Sequence, residues 1–365
     1  MIKLLYLVSH PIQYQSPLLR RIATEPDIKL RVVFERPGGL AFDPGFGRAI
    51  EWDQPLRAGY DSIVINETTL ESEIAAADVV WVHGWQTRTL RRAVRTAHRL
   101  GRAVLMRGEN AYHAMPDGWG LRGWLKRRYL RSLFSACDAF LAIGSANRDY
   151  YRRHGVDERR IFSVPYAIDN EFFTEQRKAA MPDRRRLRQE LGVGDGSVLL
   201  YVGKLQPRKR PDLLVAAWQR AFPTSPRPAL VIVGDGPMRN TLQGTGIHLL
   251  GFKNQGQLPA LYDLADVVVL PSEREPWGLV INEAMACGRA VVASDQCGAA
   301  FDLVDESTGA IFRSGDADDL AAALVRVLDD ARARGEAARR RIADWDFAAD
   351  VRGLFSALQF VASRA

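Results

Sequence analysis

Short, unbroken apolar runs recur along the chain and constrain its fold more than any other feature. In the first half they read KLLYLV, KLRVVF, DVVWVH, AVLMRG and AFLAIG; in the second, SVLLYVG, ALVIVG, IHLLG, VVVLPS and AVVAS. A strand with one wet face alternates apolar and polar residues, whereas runs this continuous are buried on both faces, as in parallel sheets covered by helices. Helical stretches lie between several of them, such as TRTLRRAVRTAHRLG, which closes on Gly101 as a C′ residue. The pattern predicts an α/β protein with two doubly wound domains facing a cleft. Ligands of such sheets bind outside the carboxyl ends of the strands.

The 365 residues are too many for one ordinary core and suit two domains. The expected division is 1–170, 171–345 and a closing helix over 346–365, where Phe347, Val351, Leu354, Phe355 and Leu358 fall at helical spacing and need a surface to pack on. The polar stretch EQRKAAMPDRRRLRQELGVGDGS is read as the linker plus the first helix of the second domain. No apolar run is long enough for a membrane span. The opening MIKLLYLVSHPIQYQ reads as a first buried strand, not a signal peptide. Cys137, Cys287 and Cys297 have no metal or disulfide spacing and are expected to be reduced thiols in a cytoplasmic protein.

The net charge of +7 lies entirely in residues 1–180; residues 181–365 are neutral. Much of it sits in WGLRGWLKRRYLRSLF (Trp119–Phe134), where Arg122, Lys126, Arg127, Arg128 and Arg131 interleave with Trp119, Leu121, Trp124, Leu125 and Leu130. Two readings stay open: a helix lying on an anionic membrane surface, at the inner face of the plasma membrane, or an ordinary surface helix with its apolar stripe in the core. No nucleic-acid-binding motif accompanies the charge.

The first strand is followed by SHPIQYQSP, not by a dinucleotide fingerprint, and there is no Walker loop. Dehydrogenase and NTPase readings lose their support. In YVGKLQPRKRPDLLVAAW, Gly203, Lys204 and Lys209 stand between a strand and a helix, placing two cations where a diphosphate would sit. VIVGDGPMRNTL is another strand that ends in glycines, Gly234 among them, which admit a ligand close to the backbone. In SEREPWGLVINEAMACG, Pro276 and Gly278 argue that a helix begins between Glu275 and Glu283, so the amides of Trp277, Gly278, Leu279 and Val280 open it toward an anion.

Together VGKLQPRKRPDLLVAA, LVIVGDGPMRNTL, HLLGF, LYDLADVVVLPSEREPWGLVINEAMACGRAVVAS and GAAFDLV resemble glycosyltransferase family 4 in order and spacing. DVVWVHGW and IFSVPYAIDNEFF carry a weaker likeness in the first half, and SHPIQYQSPLLRRIA resembles a subgroup associated with cell-surface polysaccharide synthesis. The resemblance implies a GT-B fold of two Rossmann-like domains and a retaining, hexosyltransferase-like enzyme that moves a sugar from a nucleotide-diphosphate sugar to a glycan or lipid-linked acceptor. It further implies that Glu275 lies beside the donor sugar and Glu283 accepts the ribose hydroxyls. Lys204 and Lys209 neutralise the departing diphosphate, with lysine at 204 where arginine is usual. The backbone after Gly251, around Phe252, lies beside the base.

The resemblance also places a polar group of the first domain near the anomeric carbon. His83 is the first choice, with Glu109 or Asn110 in MRGENAYH as the alternative. His10 and Arg107 are further candidates for the acceptor or phosphate side. No metal cluster is evident; DADD (Asp316–Asp319) reads as helix capping, and the two lysines replace a metal, so metal-independent activity without a cofactor is expected. The alternatives are a catalytically inactive relative that binds a nucleotide or a partner, and a sugar-nucleotide epimerase of the same fold.

Overall fold

The computed structural model describes residues 1–38, 41–43, 46, 48–66 and 69–364. The chain forms two compact units: Met1–Gly39, Gln54–Ile168 and Asp346–Ala365 make the first, Leu40–Asp53 and Asp169–Trp345 the second. The stretch 40–53, expected in the first domain, belongs to the second unit.

The first unit holds a seven-stranded sheet. Its strands are β1 (Ile2–Val8), β2 (Ile28–Phe34), and, beyond the hairpin β3 (Ala41–Asp43) and β4 (Arg48–Ile50) of the other unit, β5 (Ser62–Val64), β6 (Val79–His83), β7 (Ala103–Arg107), β8 (Ala139–Ala142) and β9 (Ile161–Ser163). They lie in the order β5-β2-β1-β6-β7-β8-β9. The pairings are parallel throughout, Leu4 opposite Val79 and Val79 opposite Ala103 among them. β6 and β8 are buried along their whole length, as their unbroken apolar sequences require. The order turns back at β1 and β6, the switch point where such sheets open a ligand crevice.

Helix Arg88–Arg99 is capped by Thr87, whose side chain accepts from the Leu90 amide, and ends before Gly101 at φ 65°. The closing helix Phe347–Ala362 begins at the Asp346 cap and packs Val351, Leu354, Ala357 and Leu358 into the same core cluster as β1 and β2.

The second unit carries β10 (Val198–Val202), β11 (Ala229–Val233), β12 (Ile247–Gly251), β13 (Val267–Leu270), β14 (Ala290–Ser294) and β15 (Gly309–Phe312), in the parallel order β12-β11-β10-β13-β14-β15. Its switch point falls between β10 and β13. The expected linker is instead regular structure of this unit: helix Asn170–Ala180, a short 3-10 turn and helix Arg184–Leu191. Its charges are consumed locally; Arg177 pairs with Asp263, and buried Arg188 donates to the Gly194 and Gly196 carbonyls.

Candidate functional site

In the second unit the candidate donor residues gather at the carboxyl ends of β10 to β13. Three glycines lock the strand ends together: the Gly203 amide donates to the Val233 carbonyl at 2.9 Å, and the Gly234 amide to the Gly251 carbonyl at 2.8 Å. Gly234 sits at φ 138°, and a Cβ there would come within 1.8 Å of the Gly203 carbonyl oxygen. Close strand-end packing thus demands glycine at 234 whatever binds nearby.

Lys209 forms an ion pair with Glu275, both side chains mostly buried. The Lys204 ammonium lies 4.8 Å from the centre of the Phe46 ring, and Phe46 meets Phe252 edge-on at 5.1 Å. The hairpin segment is also tied to the backbone after Gly251: Asn254 donates to the Glu51 carbonyl and the Gly256 amide to Asp53.

Helix Leu279–Ala286 starts from Gly278, at φ 101° and ψ 65°. A Cβ on Gly278 would press to 2.7 Å from Leu270 and 3.2 Å from the Glu275 side chain, so the sharp entry from Glu275 into the helix depends on glycine. First-turn amides lack carbonyls one turn earlier and carry the positive end of the helix dipole. Here that turn opens three residues after Glu275. Glu283, on the next turn, accepts from the Tyr262 hydroxyl at 2.5 Å. Burial raises the Glu283 carboxyl to about 7 despite the opposing hydrogen bond from Tyr262.

The Trp277 side chain is structural. Its ring is 3% exposed, stacked on Trp345 at 5.6 Å, with its N–H bonded to Asn282. It anchors the loop, and only its backbone is offered to a ligand.

In the first unit the residues at the carboxyl ends of β1, β6 and β7 separate into two groups. One is a compact polar cluster. His83 is buried; Tyr6 Oη lies 2.9 Å from its Nδ1 and Gln15 Nε2 lies 3.1 Å from its Nε2, while Tyr6 donates to Gln15 Oε1 at 2.6 Å. Burial lowers the His83 pKa, so the ring is neutral at pH 7. Glu109 is 3.8 Å from His83 Nε2, and its Oε1 accepts from Tyr14 at 2.9 Å and from Tyr166. Burial pushes the Glu109 carboxyl up, but hydrogen bonds from His83, Tyr166 and Tyr14 outweigh it and hold it below the ordinary carboxylate range. The side chain is 37% exposed, so this ionised carboxylate faces solvent beside a neutral imidazole.

The other group is structural, and two expectations are corrected here. Arg107 is 2% exposed and donates to Asp350 of the closing helix at 3.0 Å and to the Val164 and Pro165 carbonyls. Its guanidinium is committed to these buried partners. Asn110, 1% exposed, accepts from Trp85 and, through its carbonyl, from Asn147. Its side chain is committed to holding the loop. His10 is exposed, its Nδ1 2.8 Å from the Ser9 hydroxyl.

Tyr6, Gln15, Tyr14, Tyr166 and Tyr262 were not singled out from the sequence. Tyr14 and Gln15 stand in the PIQYQ stretch and Tyr166 in VPYAID, both already conspicuous, but their partners are up to 95 residues away and no local pattern pairs them. DADD acts as a cap, Asp316 accepting from the Asp318 and Asp319 amides. Among the described residues no cluster of three metal-ligating side chains occurs.

Two family models match the chain, one for each half. The model described as Glycosyltransferase Family 4 covers residues 25–172, and that described as Glycosyl transferases group 1 covers residues 183–343. The chain therefore carries a family 4 glycosyltransferase domain followed by a group 1 glycosyl transferase domain. It is 34% identical over 228 residues to a D-inositol 3-phosphate glycosyltransferase of Geodermatophilus obscurus, covering 58% of this chain and 49% of that protein. It is 30% identical over 236 residues to a GDP-mannose-dependent alpha-(1-6)-phosphatidylinositol monomannoside mannosyltransferase of Mycolicibacterium smegmatis, covering 60% of each. The matches thus span about half to three fifths of those relatives. Among solved structures, Anabaena HepE in complex with UDP superposes with a TM-score of 0.76 over 98% of this chain and all of that one, at 19% identity. Sucrose-phosphate synthase of Thermosynechococcus elongatus gives 0.70 over all of both chains at 21% identity. The fold is therefore GT-B, two α/β units with parallel sheets of seven and six strands.

Proposed function

We propose that the chain is a retaining glycosyltransferase that moves a sugar from a nucleotide-diphosphate sugar to a glycan or lipid-linked acceptor in cell-surface polysaccharide or glycoconjugate synthesis. The observation that carries this reading is the Glu275–Gly278–Glu283 helix start with Lys209 against Glu275. It sets a cation, a helix N-terminus and two carboxylates along one short stretch of strand ends. That combination suits a ligand with anionic phosphates at one end and hydroxyl-rich rings on either side. The UDP complex of HepE and the GDP-mannose dependence in the name of the mycobacterial relative support a UDP- or GDP-linked donor.

In this reading Glu283 takes the ribose hydroxyls and Glu275 lies beside the sugar. Lys209, Lys204 and the first-turn amides stabilise the charge that develops on the leaving diphosphate. Activity needs no metal ion or cofactor, because these cations and dipoles carry the neutralisation. On the first unit, the open face of the Glu109 carboxylate receives a sugar hydroxyl, and neutral His83 stands beside it. His10, exposed after β1, remains the candidate for a phosphate contact.

The protein works in the cytoplasm at the inner face of the plasma membrane. The helix Gly120–Ser135 supports this placement, with Trp119, Leu121, Trp124 and Leu125 all at least half exposed beside Arg122 and Arg128. No helix among the described residues is long and apolar enough to cross a membrane.

The test is release of nucleoside diphosphate from a panel of UDP- and GDP-sugars with a crude glycolipid acceptor fraction, followed by NMR of the product anomer. Transfer with an unchanged anomer supports the reading. Product from the nucleotide sugar without acceptor, as an epimer, contradicts it.

A further inference from the structure

Helix Arg88–Arg99 carries its arginines in two ways. Leu90, Ala93, Val94 and Ala97 face the core. Arg91 is turned back on the chain, donating to the Trp85 and Gln86 carbonyls. Arg88, Arg92, Arg95 and Arg99 recur at i, i+4, i+7 and i+11, which returns each to nearly the same side of a 3.6-residue helix and draws a stripe about 16 Å long.

The stripe lines a groove of about 1080 Å³ together with Glu35, Ile65, Asn66, Leu70 and, from helix Gly120–Ser135, Tyr129. Arg95 reaches the Tyr129 hydroxyl at 3.5 Å, and Arg99 is neutralised by Glu71 at 2.9 Å. Among the described residues, Arg88 and Arg92 have no side-chain partner and no carboxylate pairs with Arg95. Arg88, Arg92 and Arg95 outnumber Glu35, the carboxylate among the described lining residues, which accepts from Thr87, and three guanidiniums along one wall favour anionic ligands with forked oxygens.

Tyr129 also continues the exposed apolar face of its own helix. Leu121, Leu125 and Tyr129 follow at four-residue steps with Trp124 beside them, and Trp119, 96% exposed, stands at the helix start. A wall of bare guanidiniums thus runs directly into a row of exposed aromatic and aliphatic side chains. A phosphate layer with hydrocarbon behind it has that same order of chemistry.

We propose that the groove along helix Arg88–Arg99, which Tyr129 of helix Gly120–Ser135 helps to line, is a headgroup site for anionic phospholipid, in which Arg88, Arg92 and Arg95 grip lipid phosphates while Trp119, Leu121, Trp124 and Leu125 enter the bilayer interface. This inference rests on the membrane placement proposed above and is independent of the transfer chemistry. It assigns the electrostatic part of binding to a helix other than the basic one that the sequence made conspicuous.

The experiment is co-sedimentation of the full chain with vesicles of phosphatidylcholine alone and of phosphatidylcholine with phosphatidylglycerol. It compares wild type, an Arg88→Ala/Arg92→Ala/Arg95→Ala variant and a control of equal charge, Arg326→Ala/Arg339→Ala/Arg340→Ala on the second unit. Thermal midpoints verify that all are folded. Each basic residue near an anionic surface contributes about fivefold, so the groove variant should lose at least ~10-fold in affinity for the anionic vesicles while the control stays near wild type.

Equal losses in the two variants would mean that net charge alone acts, and would overturn the groove. Wild-type binding that the groove variant retains would overturn it while leaving membrane placement standing. No binding by the wild type would overturn both. Inorganic phosphate, titrated alone, gives the last arm: stabilisation of wild type by phosphate without vesicle binding would make this a site for soluble phosphate, against the proposal.

Discussion

Lys209 and Glu275 form an ion pair at the strand ends of the second sheet, with side chains 14% and 12% exposed. Each is held ready by the other before any ligand arrives. In the proposed function, a diphosphate that draws the ammonium away would free the carboxylate for a sugar hydroxyl, so one pair would supply both charges at the donor site.

Lys209→Ala removes the cation and leaves Glu275 without its counter-charge. Loss of one preorganised group that stabilises developing negative charge costs ~10²–10³ in turnover. Lys209→Arg should keep a measurable part of the rate. Steady-state assays of nucleoside diphosphate release measure both, and a near-normal Lys209→Ala rate removes the assigned role.

Glu283 sets a pH dependence. With its carboxyl raised to about 7 by burial, the ionised form that accepts hydroxyl protons is complete only above that pH, so nucleotide affinity should fall as pH drops from 8 to 6. Tyr262→Phe removes the hydrogen bond that favours ionisation and should move the midpoint upward. Glu283→Gln should bind weakly with a flat profile. The sign for stability is opposite: the folded protein holds the proton that the unfolded chain has already released, so this group lowers stability as pH rises from the ordinary carboxylate range to about 7. Calorimetric titration across the range measures both.

Gly278→Ala should destabilise by about 1–3 kcal/mol, since alanine must adopt φ 101° and meet Leu270 and Glu275. The thermal midpoint reports that loss. Nucleotide affinity should fall with it, because the same backbone aims the first-turn amides. A variant that is destabilised but binds normally would show that the helix start is only structural.

Arg107→Leu strands Asp350, which is fully buried, and should cost about 3–5 kcal/mol. The double variant Arg107→Leu/Asp350→Leu should recover much of this, because it leaves no buried charge unpaired. Denaturant unfolding of the four proteins in the cycle gives the coupling. If the single and double variants lose the same amount, the pair does not anchor the closing helix.

The fold was legible because continuous apolar strands admit few arrangements, and the closing helix announced its buried face through Val351, Leu354 and Leu358. The helix start at Gly278 was equally legible, since proline, glycine and two acids mark it within a few residues. What was hidden depends on long-range pairing. Arg107 looked like a ligand residue at a strand end until Asp350, 243 positions later, claimed it. The packing of the Trp277 ring was hidden in the same way, because its stacking partner Trp345 lies 68 positions on. The stretch after Glu175 reads as a linker plus one helix, and the structure makes it the end of helix Asn170–Ala180 and the whole of helix Arg184–Leu191, because charged residues of a short helix look the same in sequence as those of a loop. Tyr262 and Glu283 sit in one quoted motif, and only the turn between helix and strand shows that they touch.

Thermal unfolding of wild type and Glu283→Ala, with and without UDP and GDP, tests the donor site most directly. At about a hundred times its dissociation constant a ligand stabilises by ~2.7 kcal/mol, a readily measured shift of the midpoint. The account predicts that at least one of these nucleotides raises the wild-type midpoint and that the rise disappears in Glu283→Ala. A wild-type midpoint that neither nucleotide moves, or a shift that survives intact without Glu283, would contradict it.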